Sequence, residues 1–355
     1  MNHQTKLEQK YEIWLDSEAP SLLKKHKVPG IAVAVVQNDK VLYLKCWGVK
    51  CVDNNSPITT NTLFEAASLT KPVFAYGVYG LLRDRVLELD RPLLEYHQEP
   101  TIEGDDERLR KITARMVLSH TSGIPNKITR RWVMTDSERG ASNAPEPLKL
   151  EFEPGSSIRY SGEGYNYLQH VVEIITGQRL DLFMKSTVLA FLGMNDSTFV
   201  WDDNKDTSVA IPHDESGRAV NEWQWRSREP MAAGTLITTI VDYGRFLSAM
   251  LSNRKFNHSM PTQILLATEI DQMLQPQFKA KEGFAWSLGW GLEEQQSETF
   301  FWQPGDNPGF KHFTAGSRSR REAVVVLTNG QNGWNICRPI VEAVFQLKIG
   351  AFDIY

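Results

Sequence analysis

A serine and a lysine three positions apart, Ser68 and Lys71, form the pair of side chains in this sequence best suited to chemistry. They lie in the run AASLTKPVFAYGVYGLL (66–82), which is long enough for more than four turns of helix and carries Lys71 as its only charge. A helix that is apolar on all sides is buried, and an unpartnered buried ammonium is costly. We therefore expect Lys71 to have an acidic neighbour, a shifted pKa, or a part in a reaction.

Residues three apart share one face of a helix, with β-carbons ~5–6 Å apart, so the Lys71 amine can reach back to the Ser68 hydroxyl. The positive end of the helix and the loss of water both favour a neutral lysine, which can activate the serine as a nucleophile. The alternative is structural: Ser68 caps the helix and Lys71 extends to water. Ser-x-x-Lys also occurs at 21–24 and 252–255, where charged neighbours indicate exposed positions.

Further segments follow one another in an order typical of a known family. Each is weak alone, and their joint order is specific: VPGIAVAVV (28–36), FEAASLTKP (64–72), LSHTSGIP (118–125), FEPGSSIRYSGEGYNYL (152–168), MAAGTLITTIVDYGRFL (231–247), SLGWGL (287–292), NPGF (307–310) and VVVLTNG (324–330). Over nearly its whole length the chain resembles the serine β-lactamase and penicillin-binding-protein superfamily, most closely its class C β-lactamase and esterase branch. The resemblance implies that Ser68 is the nucleophile and Lys71 its partner.

The second motif of this family is Tyr-x-Asn, whose tyrosine is a general base or proton relay. The matching residues are Tyr160, Ser161 and Gly162, so the tyrosine is present and the asparagine is replaced by glycine. A phenol becomes a usable base only if its anion is stabilised, and a nearby Lys71 could do this. The two groups would then titrate as a coupled pair. Alternatively, Tyr160 only packs its ring in a loop that precedes a helix.

The third motif is Lys-Thr-Gly, or His-Gly-Gly or Trp-Gly-Gly in esterase-like members. Counting back from NPGF, the corresponding residues are Gln303, Pro304 and Gly305, followed by Asp306. A neutral glutamine cannot hold a substrate carboxylate as a cation does. The resemblance places the oxyanion hole at the N–H groups of Ser68 and Asp306, and we expect the Asp306 carboxylate to point away from the developing oxyanion.

These departures bear on the substrate. In the family, the asparagine and the cation grip a β-lactam or an acylated D-peptide. Their absence here favours a serine hydrolase that acts through an acyl-enzyme and is esterase-like, with a small or apolar acyl substrate. A β-lactamase or D-amino-acid peptidase is the first alternative, and a non-catalytic homologue that binds a ligand or partner is the second. Trp223, Trp225 and Trp302 could line an apolar cleft, although core tryptophans are more common. His120 is expected in a structural loop and not in catalysis.

The elements that must position these residues indicate an α+β fold. IAVAVVQNDKVLYLKCWGV (31–49) predicts a hairpin around Asn38-Asp39, TFFWQ, FKHFTAG and AVVVLTNG predict further strands, and 334–347 predicts a helix. The middle of the chain has mostly helical patterns. We expect an antiparallel sheet flanked by N- and C-terminal helices (1–64 and 232–355), with a mainly helical domain (65–231) inserted and the site at their boundary.

Composition narrows the function classes. A net charge of -4 gives no case for nucleic acid, and the basic cluster at 317–321 is expected at a solvated hairpin tip. Three cysteines at unpatterned spacings favour a reducing compartment, and the charged N-terminal segment reads as an amphipathic helix, so a cytoplasmic protein is expected unless a leader has been removed. No membrane span, cofactor or metal is expected, the partner is a small-molecule substrate, and the oligomeric state is left open.

Overall fold

The β-rich runs at both ends of the chain form one nine-stranded antiparallel sheet. The structure is a computed structural model that describes residues 3–99, 102–103, 107–126, 147–220, 228–255, 261 and 263–354. The strands are β1 (Gly30–Gln37), β2 (Lys40–Cys51), β3 (Ser56–Pro57), β4 (Leu63–Glu65), β5 (Ile237–Thr239), β6 (Phe278–Lys281), β7 (Phe284–Trp286), β8 (Gly291–Gln295), β9 (Glu298–Asn307), β10 (Phe310–Ser317) and β11 (Glu322–Thr328). Their order in the large sheet is β3-β2-β1-β11-β10-β9-β8-β7-β6. The predicted antiparallel sheet built from both chain ends is confirmed.

Helices cover the sheet and are the main regular structure in the described middle of the chain. They are α1 (His3–His26), α2 (Thr70–Arg83), α3 (Ala114–Leu118), α4 (Gly162–Thr176), α5 (Leu180–Met184), α6 (Ala190–Leu192), α7 (Ile240–Met250), α8 (Ala267–Met273) and α9 (Trp334–Phe345). A π-helical turn (Lys185–Leu189) joins α5 to α6, and 3₁₀ turns occur at Ala67–Leu69, Leu93–Glu95, Glu107–Lys111, Asp203–Ser208 and Gly350–Asp353. The predicted N-terminal helix and C-terminal helix are both present.

Turn chemistry fixes the two predicted hairpins. Asn38 and Asp39 adopt φ values of 52° and 61°, which suits the tight turn between β1 and β2. The cluster at 317–321 lies at the β10–β11 turn as expected. The expected solvation is wrong for one arginine, however. Arg318 is only 17% exposed, since its guanidinium pairs with Asp271 and donates to the carbonyls of Met250 and Ser252.

Two hydrophobic clusters lie on the sheet. Helices α1 and α9 pack on strands near the sheet centre and enclose one cluster, to which Val33, Val326 and Ile340 belong. The larger cluster contains α2, α4 and α7 together with residues such as Ala34 and Val325, which alternate with those of the first cluster along the same strands. The site therefore sits among elements that are fixed on the sheet by buried apolar faces.

The chain leaves the large sheet after β3 and returns to it at β6. Strands β4 and β5 form a separate two-stranded sheet (Leu63↔Thr239, Phe64↔Thr238, Glu65↔Ile237). The regular elements described between β4 and β5 are all helical, and they are joined by loops and isolated β-bridges. The domain boundaries at 64/65 and 231/232 stay a prediction. Among the described residues, no helix has the combined length and apolarity that crossing a membrane requires.

Candidate active site

Ser68 lies in a 3₁₀ turn between β4 and α2, and not inside a continuous helix from residue 66 as predicted. Ala67 adopts a φ of 49°, in the left-handed region, so the chain turns sharply before the helix begins at Thr70. The Thr70 hydroxyl donates to the Ala67 carbonyl at 2.5 Å and accepts from the Leu236 N–H at 3.1 Å. These bonds hold the turn against the segment that leads into β5.

Lys71 is 2% exposed and does not extend to water. Its Nζ lies 2.9 Å from Ser68 Oγ and donates to the Ala233 carbonyl at 2.6 Å. Burial lowers the pKa of Lys71 to about 7, and the charge of Glu163 opposes the shift only in part. A substantial fraction of the amine is therefore neutral near neutral pH, with its lone pair free to accept a proton from Ser68.

Tyr160 is the third side chain of this group. Lys71 Nζ lies 4.8 Å from the centre of the Tyr160 ring, and the phenol oxygen accepts a 2.9 Å hydrogen bond from Gln303 Nε2. The ring is held between His120, at a centroid distance of 4.3 Å, and Trp286, at 5.8 Å. The sequence-predicted residues of all three motifs are thus brought together around Ser68.

The segment at 118–126 fixes the backbone next to Tyr160. Ser161 is the N-cap of α4, because its hydroxyl accepts from the Gly164 N–H at 3.0 Å, and the same hydroxyl donates to the Pro125 carbonyl at 3.1 Å. The Gly162 N–H donates to Asn126 Oδ1 at 2.9 Å. A β-carbon at position 162 would lie 3.3 Å from Ala233 Cβ, so the glycine leaves room for the turn whose carbonyl holds Lys71.

His120 is a buried structural residue, as expected from the sequence. Its Nδ1 accepts the Ser161 N–H at 3.0 Å, which places the ring proton on Nε2. Burial first, and then the charge of Lys71, hold the pKa of His120 well below its ordinary value, so the ring is neutral. The ring therefore supports Tyr160 by packing and aligns the backbone that follows it.

Strand β9 brings the third motif to the serine turn. β8 pairs with residues 298–302 of β9, so beyond Trp302 this edge of the strand meets the turn that carries Ser68. A β-carbon at Gly305 would lie 2.9 Å from the Ala66 carbonyl oxygen, which means that only glycine permits this approach. Side chains alternate along a strand, so Asp306 points to the face of β9 opposite the one that position 305 presents to the serine turn. On that face its carboxylate pairs with Lys311. The expected outward direction of Asp306 is thus observed.

A buried polar network beneath the turn was missed by sequence reasoning. Glu65 is 2% exposed and accepts a hydrogen bond from Asn307 Nδ2 at 3.1 Å. His312 Nε2 donates to the Glu65 carbonyl at 2.6 Å, while its Nδ1 accepts from the Thr328 N–H at 3.0 Å. Burial raises the pKa of Glu65 to about 8 and lowers that of His312 to about 4. The position of Glu65 directly before the serine turn was its only signal in the sequence.

Two other residues of the site were also missed, Ala233 and Trp286; both lie in or next to segments that carry the family pattern. The suggestion that Trp302 contacts substrate is wrong: it is 1% exposed and packs against Trp286 and Phe313 in the sheet core. Trp223 and Trp225 lie outside the described residues. The aromatic wall next to Tyr160 is therefore supplied by Trp286, which is itself largely buried.

The chain is similar in sequence to known proteins. Residues 15–336 match the protein-family model described as Beta-lactamase. Protein flp of Staphylococcus aureus (strain N315) is 26% identical over 200 residues, which cover 55% of this chain and 40% of that protein. Penicillin-binding protein 4* of Bacillus subtilis (strain 168) is 29% identical over 184 residues, which cover 50% of this chain and 39% of that protein. The matched part thus spans about two fifths of the length of these curated relatives.

A solved structure has the same fold. The octameric penicillin-binding protein homologue from Pyrococcus abyssi superposes with a TM-score of 0.77 at 21% sequence identity, over 94% of this chain and 77% of that chain. At this level of identity the likeness concerns the fold alone. It agrees with the α+β architecture in which helices flank a large antiparallel sheet.

Proposed function

Because the chain belongs to the beta-lactamase family, whose members are serine hydrolases, we propose that it hydrolyses its substrate through an acyl-enzyme formed on Ser68. The observation that carries the proposal is the buried Lys71 amine, 2.9 Å from Ser68 Oγ and with its pKa lowered to about 7. A lysine in this state is a base poised at working pH, next to a hydroxyl that needs one.

In acylation, Ser68 Oγ forms a bond to the substrate carbonyl carbon while its proton passes to neutral Lys71. The carbonyl π electrons move to oxygen, and the N–H groups of Ser68 and Asp306 stabilise that oxyanion. When the tetrahedral intermediate collapses, the bond to the leaving group breaks and the proton reaches that group through Lys71 and Tyr160. The two side chains are neighbours, with Lys71 Nζ 4.8 Å from the centre of the Tyr160 ring.

In deacylation the same groups work in reverse. Water gives a proton to the Tyr160 and Lys71 pair as its oxygen attacks the acyl carbon, and the ester bond to Ser68 breaks. The proton then returns to Ser68 Oγ. Gln303 supports this step, because its amide donates to the Tyr160 oxygen and stabilises the phenolate form without adding a charge.

We propose that the substrate is an ester with a small or apolar acyl group. Gly162 has no side-chain amide. The amide of Gln303 already donates to the Tyr160 oxygen and to the Pro304 carbonyl, each at 2.9 Å. The nearby cation Lys311 is engaged with Asp306 and Asn307. Hence a substrate carboxylate, such as that of a penicillin or a D-peptide, has no evident partner in the described part of the cleft.

Two alternatives carry less support. A β-lactamase or D-peptidase remains the second candidate, because relatives named as penicillin-binding proteins share this family. A non-catalytic binding protein would be favoured by a cleft blocked by Trp302 or by an inward Asp306 carboxylate. Trp302 is buried in the core and Asp306 pairs with Lys311, so neither feature argues for it.

Intact-protein mass spectrometry tests the proposal. We expect one fluorophosphonate adduct on wild-type protein and none on Ser68→Ala, with weak or no adduct from benzylpenicillin. A stable or turning-over penicilloyl adduct would favour the β-lactamase alternative. The absence of an adduct from either reagent on folded wild-type protein would contradict catalysis at Ser68 altogether.

A further inference from the structure

Away from the serine, two histidines and a glutamate converge on the helical part of the chain. One ligand atom from each of His97, Glu99 and His170 lies within 4.8 Å of the other two. Glu99 is 5% exposed, and its Oε2 lies 2.5 Å from His170 Nδ1. A carboxylate so deeply buried needs polar partners, and among the described residues the rings of His97 and His170 complete this cluster.

The cluster joins two separate elements. His97 and Glu99 lie in the connection that follows the 3₁₀ turn Leu93–Glu95, whereas His170 is on α4. The connection is held to α4 by the Tyr167 hydroxyl, which donates to the His97 carbonyl at 2.8 Å. The rings of His97 and His170 are nearly perpendicular, at 88°, with centroids 6.1 Å apart. Backbone and side-chain contacts together thus hold the three possible ligand atoms close to one another.

We propose that His97, Glu99 and His170 bind a divalent zinc-type cation. Two imidazole nitrogens and one carboxylate oxygen are a well-known ligand set for Zn²⁺, which takes three protein ligands and leaves a fourth position for water. Bond lengths of about 2.0–2.2 Å put tetrahedral ligands roughly 3.5 Å apart. The present separations range from 2.5 Å, between Glu99 Oε2 and His170 Nδ1, up to 4.8 Å, so side-chain rotations must part that pair and bring the other donor atoms closer. His170 is 43% exposed, which gives the metal a path from solvent.

This site is independent of the acyl-transfer group. His170 lies eight residues along α4 from Gly162, about 12 Å at the helical rise, so the metal takes no part in chemistry at Ser68. Its effect is structural: it links the 97–99 connection to the helix whose N-terminus follows Tyr160. A cation that binds only the folded chain raises its stability.

No contiguous motif marks this site in the sequence, because Glu99 and His170 are 71 positions apart. The expectation of no metal rested on the lack of patterns such as His-Glu-x-x-His, which place both histidines on one helix. A ligand set divided between a loop and a helix becomes visible only when the two elements pack together.

Titration calorimetry with Zn²⁺ on tag-free, chelator-stripped full-length protein tests the site, with visible absorption of a Co²⁺-loaded sample as a report of tetrahedral geometry. Wild type should bind one equivalent and gain thermal stability. His97→Ala and His170→Ala should each weaken binding by at least about tenfold, because even an outer partner of a metal site has an effect of that size.

The matched control is His26→Ala, which removes a histidine at the end of α1 and should leave binding unchanged. Circular dichroism of each metal-free variant establishes that it is folded, and His97→Gln serves if the alanine variant is not. No binding to folded wild type, or binding that survives loss of both His97 and His170, overturns the proposal. Fluorophosphonate labelling of Ser68 is measured in parallel and is expected to be unaffected by the histidine changes.

Discussion

The side-chain amide of Gln303 donates a 2.9 Å hydrogen bond to the hydroxyl oxygen of Tyr160, so a neutral donor faces the proposed base from the position where the family motif carries a cation. The two residues are 143 positions apart and come from a sheet strand and from the residue just before the N-cap of α4. A hydrogen bond to the charged form of a group favours that form. We therefore propose that Gln303 favours the phenolate form of Tyr160 and, being uncharged, does not attract an anionic substrate.

Loss of this donor should slow acyl transfer. Gln303→Leu keeps a similar volume and removes the hydrogen bond, and we expect up to about a tenfold lower kcat/KM for a small ester, since one such bond contributes roughly 1 kcal/mol. Steady-state hydrolysis of a chromogenic ester measures the effect. Gln277→Leu, at a side chain away from Tyr160, is the control; equal rates for wild type and Gln303→Leu would show that the bond is not used.

The rate of labelling should depend on pH through Lys71. Burial lowers the pKa of Lys71 to about 7, so the amine is protonated and inactive as a base below that value and neutral above it. The second-order rate of fluorophosphonate labelling should rise with pH, with an apparent pKa near 7 that belongs to the Lys71 and Tyr160 pair. Lys71→Met should be labelled much more slowly, and its labelling rate should no longer rise with pH through this range. A pH-independent rate in wild type would contradict the role of Lys71.

Restoring the family motifs should shift substrate preference. A Gly162→Asn, Gln303→Lys double variant supplies the amide and the cation that grip an acylated carboxylate substrate. We expect penicillin acylation to increase by at least about tenfold, the worth of a charge-assisted hydrogen bond, while ester hydrolysis falls. Time-resolved intact mass spectrometry with benzylpenicillin measures this. Position 162 is tight, because a β-carbon there would lie 3.3 Å from Ala233 Cβ, so Ala233 must shift by a few tenths of an ångström. Circular dichroism of the double variant, with Gln303→Lys alone as the second variant, establishes that a lack of penicillin acylation does not come from misfolding.

Folding stability should fall as pH rises through the titration of Glu65. Burial raises its pKa from 4.5 to about 8, so between these values the folded state holds a proton that the unfolded state has lost. The stabilisation is full below pH 4.5 and is lost progressively as pH rises toward 8. Glu65→Gln keeps a neutral side chain and should flatten this slope in urea denaturation between about pH 5 and 8. Parallel slopes for the two proteins would mean that Glu65 is ionised when buried.

The fold was predictable because its signals are local. The turn residues Asn38 and Asp39 specify a hairpin turn, and β-branched runs such as the one that forms β11 specify a strand. Both preferences depend little on the residues that pack against them. The helix from residue 66 was wrong in detail, because nothing local reveals that Ala67 turns with a positive φ to fit against β9 and the segment before β5. That conformation is determined by tertiary contacts.

The residue types of the proposed reaction were also available from the sequence, since Ser68, Lys71 and Tyr160 are adjacent to motifs with fixed spacing. Their environment was not. Whether the Lys71 amine is exposed to water or buried depends on distant residues that pack around it, such as Ala233, whose carbonyl accepts from Nζ and which is 162 positions away. Likewise, the residue type of Gln303 indicates only that the cation of the family motif is missing. The structure adds that its amide donates a hydrogen bond to the Tyr160 oxygen.

The sequence by itself thus determined which side chains are available and which stretches become strands or helices, because hydrophobic periodicity, turn residues and motif spacing act over a few residues. The tertiary structure decided the protonation of Lys71 and Glu65, the outward direction of Asp306, the burial of Trp302, and the convergence of His97, Glu99 and His170. Desolvation and hydrogen bonding depend on which atoms surround a group, and those atoms come from distant parts of the chain.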